Sequence, residues 1–218
     1  MDPQNNILFH GVSNEDCARM LTCFHAKAAQ FHAGDTVCNY ENTNGRLGLV
    51  QAGDISLIRV DENGARTILE TMKAGGVFGE CLAFSGHRDA IAVIADTDCT
   101  VLFIAYDEIS KRCSNACTCH TQITENLFRL ISEKALRLSE RVEVLSRRSI
   151  RERLLCYFNL CAGHAASRQF ALPFSGTALA DYLCVDRSAM LRELKKMKDE
   201  GLVDINRRAV NAHFLQQI

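Results

Sequence analysis

The segment between residues 175 and 203 constrains the fold of this chain more than any other. Apolar residues recur there every three or four positions on both sides of a short interruption at residues 184–186, which predicts two helices joined by a tight turn. Ser175 is placed to cap the first helix, and Gly201 is placed to end the second. The pattern predicts a helix-turn-helix, SGTALADYLCVDRSAMLRELKKMKDEGLV.

The second of these helices is predicted to run from about Arg187 to Glu200 and to be strongly basic. Its inward face is predicted to carry Met190, Leu191, Leu194 and Met197, and its outward face carries Arg187, Arg192, Lys195, Lys196 and Lys198, with Ser188 near the start. A basic second helix is typical of one that enters the major groove of DNA. The alternative is an ordinary helical hairpin with a solvated outer face.

The charge and cysteine content indicate how the chain could bind nucleic acid and in which compartment it is expected. The 218 residues carry a formal net charge of -1, so any nucleic-acid binding must depend on a local patch. From residue 149 onward there are ten Lys and Arg against seven Asp and Glu. Eleven cysteines, with neither a secretory signal nor an apolar run of membrane-spanning length, predict a cytoplasmic protein with free thiols.

Glycine-punctuated strands are predicted from about Phe31 to Ala105. A short helical lead-in, capped at Ser13, is expected before them over residues 7–31. The clearest hairpin pairs DISLIRV with RTILETM, because Asn63 and Gly64 between them supply the positive φ angles of a tight turn. Short strands at this spacing indicate an antiparallel β-roll, sandwich or barrel.

A long helical tract is predicted from about residue 106 to residue 145. A helix of this length has little of its own domain to cover its apolar stripe, so we expect a second copy of the chain to pack against it; packing on the β-domain is the alternative. The residues predicted to form this dimer interface are Ile123, Leu127, Leu130, Ile131, Leu138, Val142 and Leu145.

The remaining segments complete a small C-terminal domain. Residues 146–149 are a polar break, and they precede a helix, SIRERLLCYFNLCAGHA, and a short strand, QFALPF. The C-terminal tail alternates like a small β-wing with residues 206–208 at its tip. We therefore predict three parts: a sensing β-domain at 1–108, a dimerisation helix at 109–146 and a winged helix-turn-helix at 147–218.

With these parts placed, the chain resembles the cAMP receptor protein/FNR superfamily of bacterial transcription regulators. GGVFGECLAFSGHRDA, residues 75–90, is similar to the phosphate-binding cassette of that family, and VDRSAMLREL is similar to its recognition helix. The resemblance implies an α+β fold with an N-terminal antiparallel jelly-roll of the cyclic-nucleotide-binding type, a long dimerisation helix and a C-terminal winged helix-turn-helix.

The resemblance also assigns an effector site. In cAMP-binding members the cassette glutamate takes the ribose hydroxyl and the arginine takes the phosphate, and these positions match Glu80 and Arg88. Asp89 stands where a small hydroxyl residue is usual, the segment between Glu80 and Arg88 is shorter, and Leu138 replaces a threonine beside the retained Ser139. We therefore expect a small effector other than cAMP, although Glu80 and Arg88 forming a structural ion pair is an alternative. The predicted effector-binding residues are Gly79, Glu80, Cys81, Leu82, Arg88, Asp89, Leu138 and Ser139.

On the DNA side the family reads base edges with two arginines and a glutamate. Arg187 and Arg192 match the arginines, and Ser188 stands at the glutamate position, which is expected to change the preferred half-site. Ser175 and Thr177 match positions that touch phosphate, and Lys195 adds non-specific attraction.

The cysteines leave a second interpretation open. Some members of the superfamily hold an iron–sulfur cluster, but Cys17, Cys23 and Cys38 lack the tight spacing that such sites favour. Cys113, Cys117 and Cys119, followed by a histidine, are candidate metal or redox residues, with buried structural thiols as the alternative.

Together the patterns predict a homodimeric transcription regulator with no enzyme activity. Its expected partners are a palindromic DNA operator and a second copy of itself, and RNA polymerase is a further candidate; no membrane partner is expected. The alternatives are a redox, metal or haem sensor that still binds DNA, and a ligand-binding module that binds no DNA.

Overall fold

The computed structural model describes residues 6–40, 45–63, 66–80, 91–110, 118–173 and 175–215. The chain divides into two compact units, Met1–Ser132 and Glu133–Ile218. None of the described helices combines the length and the apolar character needed to cross a lipid bilayer.

The N-terminal unit begins with a short helical lead-in. A 3-10 helix at Ile7–Phe9 is followed by α1 at Asn14–Cys23, which Ser13 caps as predicted by accepting a hydrogen bond from the Asp16 amide. The expected helical lead-in extended to residue 31, and this was too long, because Lys27–Phe31 forms the first strand. The strand KAAQF lacks the strict alternation of polar and apolar residues that marks a half-buried strand, so its sequence does not separate it from an amphipathic helix.

Eight strands then form two antiparallel sheets of four strands each. One sheet has the order β1-β8-β3-β6 and the other β2-β7-β4-β5, which is the predicted jelly-roll. The predicted hairpin is confirmed, since β4 and β5 pair antiparallel, although Gly64 of its turn lies outside the described residues. The strands are β1 Lys27–Phe31, β2 Thr36–Asn39, β3 Arg46–Ala52, β4 Ile55–Val60, β5 Arg66–Met72, β6 Val77–Phe78, β7 Ile91–Ala95 and β8 Cys99–Ala105.

The predicted helical tract contains α2 at Tyr106–Ser110 and α3 at Thr118–Leu145, with residues 111–117 between them outside the described part. The start of α3 completes the core of the N-terminal unit. Asn126 is buried there and donates hydrogen bonds to the carbonyls of Leu8 (3.0 Å) and His10 (2.8 Å), which fixes the lead-in against the helix.

The C-terminal unit holds the end of α3 and a small helical domain with a three-stranded sheet of order β10-β11-β9. The predicted polar break is present: α3 ends at Leu145, and Ser149 caps the next helix in a reciprocal capping box with Glu152. One apolar core joins these elements, through buried side chains that include Leu154, Phe158 and Val210. The elements are α4 Ile150–Ala165, β9 Gln169–Ala171, α5 Gly176–Tyr182, α6 Arg187–Asp199, β10 Val203–Asn206 and β11 Ala209–Ala212.

Candidate functional site

The helix-turn-helix forms where the sequence predicts it. Ser175 caps α5 by accepting a hydrogen bond from the Ala178 amide, and Asp186 caps α6 by accepting one of 2.8 Å from the Ala189 amide. Between the helices Cys184 adopts a positive φ of 52°, which reverses the chain within a few residues. Both caps satisfy amide groups that would otherwise lack partners at the helix starts, so the turn geometry is fixed locally.

Helix α6 has one buried and one exposed face. Met190 and Met197 are buried in the core of the unit, whereas Leu191 is 43% exposed, so the expectation that Leu191 faces inward was wrong. Each residue of a helix turns by about 100°, and Leu191 therefore lies on the outer side when Met190 faces the core. The exposed residues of α6 are Arg187, Ser188, Leu191, Arg192, Lys195, Lys196, Lys198 and Asp199.

Two of the acidic residues near this helix are neutralised by an arginine of α4. Arg151 donates to Glu193 at 2.5 Å and makes a bidentate pair with Glu200, both oxygens at 2.7 Å. These bonds raise the pKa of Arg151, and the hydrogen bonds from Arg151 lower the pKa of Glu200. Both carboxylates are paired with Arg151 on the side of α6 that faces α4. They therefore reduce the positive potential of the exposed basic face less than unpaired carboxylates would.

Two further arginines hold the backbone around the motif, and no local sequence pattern marks this role. Arg153 donates to the carbonyl of Leu183 at 2.9 Å, which ties the turn of the motif to α4. Arg208 lies in the turn at the tip of the wing, as expected, and its side chain donates to the carbonyls of Leu172 (2.9 Å) and Pro173 (2.8 Å). Its guanidinium therefore supports the wing strands, and Arg207 occupies the turn with a φ of 53°.

Ser175 and Thr177, the predicted phosphate-contacting residues, are exposed at the start of α5. The first turn of a helix presents amide groups that favour a negatively charged group. The structure thus leaves all six predicted DNA-binding residues accessible, namely Ser175, Thr177, Arg187, Ser188, Arg192 and Lys195.

Some residues of the predicted dimer interface on α3 are buried within the single chain. Ile123, Leu127 and Leu130 are buried against the core of the N-terminal unit, so they have no surface left for a second copy. This part of the helix follows the alternative of packing on its own domain. A different set, which we call the apolar stripe, is accessible and is spaced by three and four residues: Phe128, Ile131, Ala135, Leu138 and Val142.

The apolar stripe includes three of the large exposed apolar side chains of the described chain. Phe128 is 67% exposed, Leu138 64% and Val142 60%, while Ile131 is half-buried and Leu145 is half-buried at the end of the helix. Alternating steps of three and four residues are the spacing at the seam of a coiled coil.

The start of the cassette is held by close backbone packing. The ring of Phe78 lies directly over Gly48 of β3, where a Cβ would clash with it. Gly79 follows with a φ of 91°, and a Cβ there would lie 2.5 Å from the carbonyl oxygen of Arg46. Glu80 comes next and is buried. These contacts require glycine at both positions.

Residues 28–116 match the family model of the cyclic nucleotide-binding domain. This match lies within the N-terminal unit. A curated relative is Lysophospholipase NTE1 of Eremothecium gossypii, 25% identical over 139 residues, which are 63% of this chain. The match spans only about 9% of the length of that relative.

Several solved structures share the fold of the whole chain. The catabolite activator protein of Thermus thermophilus is 20% identical, with a TM-score of 0.55 over 95% of this chain and 93% of that one. CprK in complex with OCPA is 14% identical, with a TM-score of 0.69 over 91% and 89%. The c-di-GMP-responsive regulator CLP of Xanthomonas campestris is 18% identical, with a TM-score of 0.58 over 90% and 99%. These likenesses confirm the fold that the resemblance to the cAMP receptor protein/FNR superfamily implied.

The region that matches the family model, residues 28–116, includes only part of the predicted effector set within its described residues. Gly79 and Glu80 end the described part of the cassette, and Cys81, Leu82, Arg88 and Asp89 lie outside it. Leu138 and Ser139 are exposed on α3. The effector assignment therefore stays a prediction.

Four thiols of the described chain are made harder to ionise by burial. Burial raises the pKa of the Cys38 thiol to about 12 and also raises the pKa values of Cys99, Cys156 and Cys161. A raised pKa keeps a thiol protonated and poorly nucleophilic. Within the described ranges, no three His, Cys, Asp or Glu side chains gather where they could hold a metal ion. Cys119 is half-buried, and the other two candidate metal residues, Cys113 and Cys117, lie outside those ranges.

Proposed function

We propose that this chain is a homodimeric, sequence-specific DNA-binding transcription regulator, switched by a small effector other than cAMP. Its working parts are a sensing domain at 1–108, a dimerisation helix at 109–146 and a DNA-binding domain at 147–218. The proposal rests on the exposed basic face of α6, which a buried apolar face and two capped helix starts hold in place.

The DNA-binding part follows from the chemistry of that face. Arg187 and Arg192 are five residues apart, so their side chains leave the helix on neighbouring turns. Each guanidinium presents the forked donors that match O6 and N7 of guanine, the commonest specific contact in the major groove. Thr177 and Lys195 are accessible for phosphate contacts, which position a protein on DNA without reading sequence.

The test of DNA binding is a gel shift of the full-length protein on fragments enriched from a random DNA library. The double variant Arg187→Ala/Arg192→Ala is expected to lose about 100-fold or more in affinity, since each bidentate contact contributes about 1–3 kcal/mol. Arg168→Ala removes a charge from an exposed position outside α6 and serves as the matched control. If the library yields no enriched sequence, or if both variants behave alike, the proposed function is wrong.

Dimerisation is proposed to use the apolar stripe. Two-fold symmetry allows two copies of α6 to enter successive major grooves, about 34 Å apart, and it predicts a palindromic operator. Leu145 extends the same seam by three residues beyond Val142. Four predicted interface residues, Ile131, Leu138, Val142 and Leu145, keep that role in the proposal, and Phe128 and Ala135 are added to them.

The effector site is proposed for the cassette of the cyclic nucleotide-binding domain. Glu80 and the sequence position of Arg88 suit a ligand with hydroxyl and anionic groups, whereas Asp89 stands in the sequence where cAMP-binding members have a small hydroxyl residue, and its negative charge disfavours a cyclic phosphate. Calorimetric titration with cAMP is expected to give no saturable heat up to millimolar concentration. Binding at micromolar cAMP would contradict this part of the proposal and leave the DNA-binding part standing.

We further propose that the protein has no catalytic activity and acts in the cytoplasm. The support is that solved structures sharing its fold include a catabolite activator protein and a global regulator. RNA polymerase remains a candidate partner at a bound promoter, and run-off transcription from the selected operator tests it.

A further inference from the structure

One large apolar side chain lies on the face proposed to meet DNA. Leu191 is 43% exposed, although it belongs to a helix that buries Met190 and Met197 completely. It stands between Ser188 and Lys195, three residues after the first and four before the second, so the three side chains form one row along the helix.

The surroundings of Leu191 are those of a surface that meets a polyanion. Arg192 is its neighbour in sequence, Arg187 lies one turn earlier, and Lys195 lies one turn later; all three are exposed. A scattered surface leucine needs no explanation by itself. A leucine enclosed by cations on the outer face of a recognition helix is placed where base edges would lie.

We propose that Leu191 contacts the C5-methyl group of a thymine in each operator half-site, an inference that rests on the proposed function. In the major groove, thymine differs from the other bases by this methyl group, which apolar side chains contact. Leucine has no hydrogen-bonding group, so its contribution to sequence preference depends on that methyl. Because Leu191 adjoins Arg192, the thymine is expected within a base pair or two of the guanine bound by Arg192.

The size of the effect follows from the burial of a single methyl group. Its loss is expected to raise the dissociation constant about fourfold for one half-site and about fifteenfold for both, if the half-sites contribute independently. These changes are large enough to measure by direct titration.

The experiment replaces thymines with deoxyuridines in an operator selected by the full-length protein. Deoxyuridine pairs like thymine and lacks only the methyl group, so it isolates the proposed contact. Each thymine position is substituted in both half-sites, and binding is measured for the native protein, Leu191→Ala and Lys196→Ala. Lys196 is exposed on the flank of α6 and provides the matched control.

For the native protein and Lys196→Ala, deoxyuridine at one thymine position is expected to lower the affinity about fifteenfold. Leu191→Ala is expected to bind the thymine and deoxyuridine operators with equal affinity. Alanine favours helix formation, so α6 should persist, and thermal unfolding checks this. If no thymine shows a methyl effect, or if Leu191→Ala retains it, the inference is overturned while DNA binding stands. If the native protein selects no sequence at all, the proposed function fails, and this inference fails with it.

Discussion

Replacing Leu138 with alanine should weaken dimerisation strongly. Leu138 is 64% exposed in the single chain and lies in the middle of the apolar stripe. Full burial of a leucine side chain contributes about 1.5–3 kcal/mol, so covering its exposed part in both subunits contributes about 2–4 kcal/mol per dimer. Truncation to alanine removes most of this, and the dimer dissociation constant should rise about 10- to 150-fold.

The helix supplies a closely matched control for that substitution. Leu136 is 59% exposed, nearly the same as Leu138, but it lies two residues earlier and therefore about 200° around the helix. Sedimentation equilibrium of the native protein, Leu136→Ala and Leu138→Ala at several concentrations separates the two positions. The reasoning is refuted if both variants dissociate alike, or if the native protein is a monomer at micromolar concentration.

Three further predictions follow from contacts in the two units. Gly48→Ala should lower the free energy of unfolding by about 1–3 kcal/mol in chemical denaturation, because the new Cβ meets an aromatic ring, whereas Gly163→Ala should raise it by up to about 1 kcal/mol, because that helical site is open. The hydrogen bonds from Arg151 hold the pKa of Glu200 below its usual value of 4.5, so the ion pair stabilises the fold at neutral pH, and this contribution is lost as the pH falls through the lowered pKa. Arg151→Ala should therefore make the free energy of unfolding depend less on pH between pH 6 and 3. At pH 8 the thiol of Cys38, with a pKa of about 12, should react with iodoacetamide far more slowly than exposed thiols, as peptide mass spectrometry will show; equal rates would contradict its burial.

Features encoded by neighbouring residues were predictable from the sequence. The caps at Ser13 and Ser175 and the start of α6 at Arg187 lie where the local patterns place them. A cap and the amides it binds are within three residues of each other, so the sequence contains the whole interaction.

Features that depend on distant residues were not predictable in the same way. The apolar positions of α3 show which side chains avoid water, but not what covers them, and so the start of the helix was wrongly assigned to a second copy. Arg151 and its partner Glu200 are 49 residues apart, and no local pattern marks such a pair. The long-range register that brings Phe78 over Gly48 likewise appears only when the sheets are formed.

The contacts of Arg151 restrict the rotation of α6 about its own axis. Glu193 in α6 and Glu200 at its C-terminal end lie two turns apart, and the guanidinium of Arg151 donates hydrogen bonds to both. The outermost atoms of a helix lie about 6 Å from its axis, so an axial rotation of 20° would displace them by about 2 Å, well beyond the tolerance of a hydrogen bond. If α6 reads DNA as proposed, Arg151 would sharpen the discrimination between neighbouring operator sequences by resisting this rotation from the side of α4.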